Sequence, residues 1–334
     1  MTSTERIARR VGILGVALMV ATLGAACGGK SEDKAQATGA KSAAYPVTVE
    51  HKLGKTVIDK APQRIVTLSD ADLDALLLLG IQPVGIAESS GPDGISPWAK
   101  PKITGQPKVL SPGDNGYKVE EVLALKPDLI LAGGDYYIKD QYDKYAGLVP
   151  TTAFEKGNFE DAWQVTLRQV ARAVGKVDEG EKIVKDVEAK IAKVKTDHPV
   201  LVGRKFAVSQ VWEAGSVGVL RSKDDAGVKM LNDFGMVLAP GVAALPGEEF
   251  AAQLSLEKVG VLDTDVLLVY YTEDTFRTAL EGNTLFKNLT VVKRNAYQVL
   301  RQEQFSALRT ATPLSVPYLI DNVVPDLVKV AKAP

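Results

Sequence analysis

Cysteine and histidine are nearly absent from this chain of 334 residues, which has one Cys and two His. A lone Cys27 excludes an intrachain disulfide, and His51 and His198 are too few for a zinc or non-haem iron site built on imidazole. Neither sign of charge is in excess, because 40 Lys and Arg face 41 Asp and Glu. Nothing in that balance predicts a nucleic-acid partner. Catalytic signatures are missing as well: there is no G-x-S-x-G elbow, no glycine-rich phosphate loop and no cysteine nucleophile. What remains is an ordinary soluble mixture, 46% apolar and 24% charged, long enough to bury two cores.

The N-terminus is an exception to that mixture. Arg6, Arg9 and Arg10 precede an apolar run over 11–26, too short to span a bilayer comfortably, and Gly24-Ala25-Ala26 leads into Cys27. Residues 1–26 read as a signal peptide. Cys27 resembles the lipid-modified residue of a bacterial lipoprotein signal, although Gly24 stands where that signal usually has Leu. An ordinary secretory peptide with an incidental Cys is the alternative; lipidation is favoured because the chain's one Cys falls here and a polar, aperiodic tether follows over 27–45. The expected location is the extracellular side of the cell membrane, held by a lipid anchor.

The stretch 119–137, VEEVLALKPDLILAGGDYY, organises the rest. It reads as a short helix opening on Glu120, a turn at Pro127, a buried strand after Asp128, and a loop carrying Tyr136 and Tyr137. The pattern returns in LEKVGVLDTDVLLVYYTED, where Glu257 again precedes Asp265 by eight positions and Tyr270-Tyr271 follows the strand. Such an echo predicts two similar lobes. The expected domains are an N-terminal lobe over 46–176, a bridging helix over 177–198 and a C-terminal lobe over 199–334. The bridge is predicted from a highly charged helix over 178–196 with a narrow apolar stripe at Ile183, Val184, Val187, Ile191 and Val194.

In the first lobe the pattern predicts a hairpin around Gly54 with His51 on its surface, then a β-α-β unit in which Ser69 or Asp70 caps the helix and Gly80 ends it. The second lobe reads similarly: a strand over 206–208, a loop over 210–221, a helix ended by Gly235, and a closing helix over 313–330. The fold class is therefore α/β, two Rossmann-like lobes with a ligand cleft between them, because ligands of open α/β sheets bind beyond the carboxyl ends of the strands. The loops there hold Trp98, Tyr136, Tyr137, Trp212, Arg221, Tyr270, Tyr271, Arg301, Phe305 and Arg309, a set suited to gripping a ligand. Trp98 is either a binding contact or a lid over the core. Asp135 and Glu213 form the one candidate carboxylate pair for glycosidase-like chemistry.

Five segments in register, APQRIVTLSDADLDALLLLGIQPVGI, VEEVLALKPDLILA, LSLEKVGVLDTDVLLV, VVKRNAYQVL and PLSVPYLIDNVVPDL, resemble the iron-siderophore and vitamin B12 substrate-binding proteins of ABC importers. The resemblance implies two lobes joined by a rigid helix, and a monomer that captures a ligand without breaking a bond. It also implies that Glu120 and Glu257 dock onto a permease with two equivalent halves. No cofactor is expected, since iron would arrive inside the siderophore. Scarce His disfavours direct ligation of haem iron, and the Tyr and Trp share favours a ferric hydroxamate over an anionic catecholate. A vitamin B12 or haem binder of the same fold, or an extracytoplasmic enzyme or scaffold on it, are the alternatives.

Overall fold

Short apolar runs in the N-terminal half become parallel strands buried on both faces. A computed structural model describes residues 45–157, 160–247 and 251–333. The expected signal peptide and, apart from Tyr45, the tether from Cys27 lie outside them. The hairpin of β1 (Val47–His51) and β2 (Gly54–Ile58) comes first. Then follow β3 (Ile65–Thr67), α1 (Asp70–Leu78), β4 (Gly85–Ala87), β5 (Lys108–Leu110), α2 (Val119–Ala124), β6 (Leu129–Leu131), α3 (Ile138–Ala146) and β7 (Thr151–Thr152). The parallel sheet runs β5-β4-β3-β6-β7. Strand alternation divides its side chains: Ile65, Leu129 and Leu131 enter one apolar cluster, whereas Val66 and Ile130 enter another with Tyr117, Val122, Ile138 and Tyr145.

His51 departs from expectation, being buried with its Nε2 3.0 Å from the Thr56 hydroxyl and 3.2 Å from that of Tyr142. The hairpin folds back over the sheet, where the Lys52 amide donates to the Phe154 carbonyl at 2.9 Å. A covered edge accounts for the burial.

Helices α4 (Trp163–Ala173) and α5 (Val177–Asp197) follow. The 21 residues of α5 reach about 31 Å at ~1.5 Å per residue. Its buried residues include Val184, Val187, Ile191 and Val194, four of the five in the stripe read from the sequence, and Ile183 is half-buried.

The C-terminal half contains β8 (Lys205–Val211), β9 (Ser216–Leu220), α6 (Ala226–Asp233), β10 (Val237–Leu238), α7 (Pro240–Ala243), β11 (Ala251–Ser255), a 3-10 stretch Leu256–Leu262, β12 (Val266–Tyr271), α8 (Asp274–Gly282), α9 (Thr284–Lys287), α10 (Thr290–Lys293), β13 (Tyr297–Leu300), α11 (Gln302–Arg309), α12 (Ser315–Asn322) and α13 (Val324–Ala331). The sheet runs β11-β9-β8-β12-β13, with β10 parallel to the start of β8. Two expectations are corrected. Part of the predicted loop 210–221 is β9, antiparallel to both β8 and β11. The closing helix is two, parted at Val323, with Pro325 in the first turn of α13.

The internal echo is exact in register. Ile65 pairs with Leu129 between β3 and β6, and Phe206 pairs with Val266 between β8 and β12. In each lobe the Asp just before β6 or β12 takes backbone N–H bonds from the start of the neighbouring strand, β3 or β8. Asp128 accepts from Gln63 at 2.9 Å and Arg64 at 2.8 Å, and Asp265 accepts from Lys205 at 2.8 Å. Gly80 and Gly235, at φ +76° and +97°, end the equivalent helices α1 and α6 in the left-handed conformation that glycine favours. The lobes share one interior: a continuous apolar cluster joins Leu73 and Leu76 of α1, Leu167 of α4, Val184 and Ile191 of α5, Leu319 of α12 and the sheet residues Phe206 and Val208, while the cluster around Val66 and Ile130 stays within the N-terminal lobe.

Candidate functional site

Parallel strands present their carboxyl ends on one side of each sheet. There β6 opens into Gly133-Gly134-Asp135-Tyr136-Tyr137, β12 into Thr272, and β13 into Arg301 and α11. The loop after β4 meets α11 across the lobes, where the Ser90 and Ser306 hydroxyls are hydrogen bonded at 2.9 Å. The carboxyl-end loops of the two lobes thus meet at α11.

On the C-terminal lobe Tyr270 stacks on Phe305, with ring centroids 4.7 Å apart and planes 19° from parallel. Burial pushes the Tyr270 phenol up, and the Glu303 carboxylate adds to this. Arg301 opens α11 one turn earlier, exposed and paired through Nε with Glu303 at 2.7 Å. Its backbone N–H donates to Gln304 Oε1 at 2.9 Å, fixing the helix start. A flat aromatic floor beside a fixed cation can hold a planar or anionic group. On the N-terminal lobe Tyr136 is 60% exposed and meets Tyr137 edge-on at 5.1 Å, and Tyr137 meets the buried Tyr117 at 6.4 Å. Trp212 lies at the exposed turn between β8 and β9 with its ring laid against Gly218.

Other predicted residues have partners elsewhere. Trp98 is buried, its indole N–H donating to Asp74 Oδ2 at 2.8 Å and its ring 5.4 Å from that of Tyr318, so it does not present itself to a cleft. Tyr271, on the opposite face of β12 from Tyr270, is buried with its hydroxyl 2.6 Å from that of Tyr297. The Arg309 guanidinium is paired with Asp225, the N-cap of α6. Arg221 Nε donates to the Leu245 carbonyl at 2.9 Å. Glu120 and Glu257 are both exposed, each the second residue of its short helix. Asp135 and Glu213 belong to separate networks: Asp135 is buried and accepts the Tyr137 N–H at 3.1 Å, while Glu213, exposed, accepts from Ser216 at 2.7 Å and from Gln253.

Sequence reasoning passed over a buried acid group at the N-terminal lobe's strand ends. Asp70, Asp72 and Asp74 alternate along the start of α1. Ser89 and Ser96 each donate to Asp70 at 2.9 Å. Asp72 accepts from the Ser69 hydroxyl at 2.6 Å and from the Gly133 and Gly134 amides at 3.2 Å. Those amides are therefore used internally, and a Cβ at Gly134 would lie 2.6 Å from Ser69 Oγ. Burial raises the pKa of all three, most for Asp74, where the neighbouring Asp70 adds to it. Asp135 is pushed up to about 7 by burial, partly offset by the Tyr137 amide and reinforced by Asp72. Three aspartates inside a leucine-rich run, SDADLDALLLL, were the available signal.

A cavity of about 650 Å³ lies outside this region, against the hairpin and α4, lined by Glu50, His51, Glu155, Arg168 and Arg172 among others. Arg168 there is already paired with Glu181 at 2.7 Å. Among the described residues, no group of three or more His, Cys, Asp or Glu could hold a metal ion, and no helix is long and apolar enough to cross a membrane.

A family model described as periplasmic binding protein matches residues 65–303. The putative ABC transporter substrate-binding lipoprotein YhfQ of Bacillus subtilis is 28% identical over 298 residues, covering 85% of this chain and 88% of its own length. A periplasmic solute binding protein from Mycobacterium smegmatis has a TM-score of 0.75 at 31% identity, over 85% of this chain and 98% of that structure. PiaA of Streptococcus pneumoniae in complex with ferrichrome has a TM-score of 0.73 at 26% identity, over 86% and 99%. With the family match spanning most of both lobes and the duplicated strand register beneath it, this chain belongs to the periplasmic binding protein family.

Proposed function

We propose that this chain is the substrate-binding protein of an ABC importer, held outside the membrane through Cys27, and that it captures a ferric siderophore of hydroxamate type. The observation that carries the reading is the Tyr270–Phe305 stack with exposed Arg301 one helical turn away. A ferric hydroxamate presents an apolar shell around metal-bound oxygens. Aromatic faces cover such a shell, and a guanidinium donates to the oxygens without touching iron. The likeness to a protein that holds ferrichrome supports the same chemistry. Capture needs no catalytic group, and release belongs to the permease. In this reading Glu120 and Glu257 are the two contacts with its two halves, exposed at equivalent positions of the repeated unit.

Tryptophan fluorescence tests the reading. Titration with ferrichrome, ferrioxamine B, a ferric tricatecholate, cyanocobalamin and haem is expected to give saturable quenching, tightest for the hydroxamates, through the exposed Trp212. Absence of binding to every ferric siderophore overturns it, and tightest binding to cyanocobalamin or haem reassigns the ligand. For the docking residues, Glu120→Arg or Glu257→Arg is expected to abolish uptake with the dissociation constant unchanged. A weakened affinity would move those residues out of the docking role.

A further inference from the structure

The exposed ring of Tyr136 is the last of three tyrosines set nearly perpendicular to one another. Tyr117, buried just before α2, meets Tyr137 edge-on with centroids 6.4 Å apart and planes at 85°, and Tyr137 meets Tyr136 at 5.1 Å and 88°. Both spacings lie where aromatic pairs hold a preferred angle. The foot of this ladder is a tight turn, Gly113-Asp114-Asn115-Gly116. It is closed by a pair of bonds, the Gly113 amide donating to the Gly116 carbonyl at 3.0 Å and the Gly116 amide to the Gly113 carbonyl at 3.1 Å. Helix α3 grips the turn through the buried Gln141, whose side-chain amide donates to the carbonyls of Asn115 at 3.0 Å and Tyr117 at 2.9 Å, one on either side of Gly116. Gln141 stands four residues after Tyr137, so both side chains leave the same face at the start of α3. Gly116 completes the arrangement. It has φ +94°, and a Cβ there would lie 2.7 Å from the Tyr137 Cβ and 2.7 Å from Gln141 Oε1. The Tyr137 Cβ is one bond from the backbone and cannot swing aside, so the turn is packed against the root of Tyr137 and not against the end of a movable ring.

We propose that Gly116 and Gln141 are positioning residues for Tyr136, holding Tyr137 as the prop against which the exposed ring stands. The inference deepens the reading of siderophore capture and rests on it, with Tyr136 as the ring that the N-terminal lobe presents to the ligand. A tyrosine on a loop has rotamer freedom to lose when it closes on a ligand, and a ring held in place beforehand loses less. The prop is fixed at its backbone as well, where the Tyr137 N–H donates to Asp135 at 3.1 Å. The same arrangement accounts for a glutamine on the buried face of α3. Its two N–H groups are both taken up by the turn, while its oxygen has no hydrogen-bond partner. A side chain placed there for packing alone would be apolar, because a buried amide with a bare oxygen is destabilising.

Two measurements on the full-length chain separate positioning from packing. The first needs no ligand: fluorine NMR of the chain labelled with fluorotyrosine, in which the Tyr136 resonance is the one missing from Tyr136→Phe. Gly116→Ala and Gln141→Met are each expected to shift and broaden that resonance, because the neighbouring ring no longer holds one distance and angle. The second is a double-mutant cycle read as the ferrichrome dissociation constant by calorimetry. Each substitution is expected to weaken binding about fivefold in the wild-type background, and less than about twofold in a Tyr136→Ala background, where the ring to be positioned is gone. Gln141→Met keeps the length of the side chain and removes its amide, so it carries both tests if Gly116→Ala does not fold. An unmoved Tyr136 resonance overturns the inference. So do equal losses in the two backgrounds, which would make the turn a support for the lobe as a whole, and a Tyr136→Ala variant that binds ferrichrome as the wild type does. A wild-type chain that binds no ferric siderophore overturns the ligand class alone, and the resonance then decides whether the ladder places Tyr136.

Discussion

Replacing Asp135 by Asn probes a buried carboxyl at the strand ends whose proton is held up to about neutral pH. The carboxyl is buried, one oxygen accepts the Tyr137 N–H at 3.1 Å, and the other has no hydrogen-bond partner. In the unfolded chain it releases its proton near 3.8, whereas in the folded chain burial holds the proton up to about 7. A raised folded value means that the native state binds the proton more tightly. Stability is therefore fully present at low pH and is lost as pH rises through that window. Each pH unit costs ~1.4 kcal/mol, so the loss between pH 5 and pH 7 is about 3 kcal/mol, with a plateau above. Asparagine keeps the shape and cannot ionise. Urea unfolding of the wild type and Asp135→Asn at half-unit steps from pH 5 to pH 8.5 is the assay, because the difference between the two cancels every other titrating group. The variant is expected to gain on the wild type by ~1.4 kcal/mol per unit up to about pH 7, and then to hold constant. A difference that does not move with pH, or a wild type that gains on the variant as pH rises, would refute the reasoning from burial.

The strand clamps should rank by the amides they hold. Asp128→Ala frees two backbone N–H groups and is expected to cost about 2 kcal/mol, and Asp265→Ala, which frees one, about 1 kcal/mol; a larger loss for Asp265→Ala in urea unfolding would contradict the equivalence of the two clamps. Gly218→Ala places a Cβ inside the Trp212 ring, so the indole is expected to lift off β9, with a red-shifted emission and weaker ferrichrome binding; an unchanged spectrum would mean that the strand yields instead. Tyr271→Phe removes a hydroxyl bonded to Tyr297 on the far face of β12 and is expected to leave the ferrichrome dissociation constant unchanged, unlike Tyr270→Ala, and calorimetry on the pair decides whether the strand separates cleft from core.

The duplicated strand was legible because its determinants are local. An Asp before an apolar run, a glycine after a helix and a charged helix with a narrow stripe each declare themselves within a few residues. Strand β9 did not, because Val217-Gly218-Val219-Leu220 is short, is interrupted by glycine and is completed by β11, a weakly patterned Ala-Ala-Gln-Leu-Ser more than thirty residues on. Among the site residues, Tyr270, Phe305 and Arg301 were read from loop position, and the structure gathers them around the start of α11. Trp98 and Tyr271 were read by the same rule and lie elsewhere, because the rule sees which loop or strand end a residue is on and not which way its side chain turns. Only long-range partners, Asp74 for one and Tyr297 for the other, decide that.

The unbroken apolar cluster through α1, α4, α5 and α12 has a consequence for protein engineering. Chimaeras that exchange one half of the chain with a homologue at the boundary after α5 would mismatch both surfaces of that helix at once. A transferable module is instead a strand-end loop set with its supporting sheet, grafted onto a retained four-helix spine. New ligand selectivity is more readily recruited in this scaffold by replacing rims than by shuffling halves.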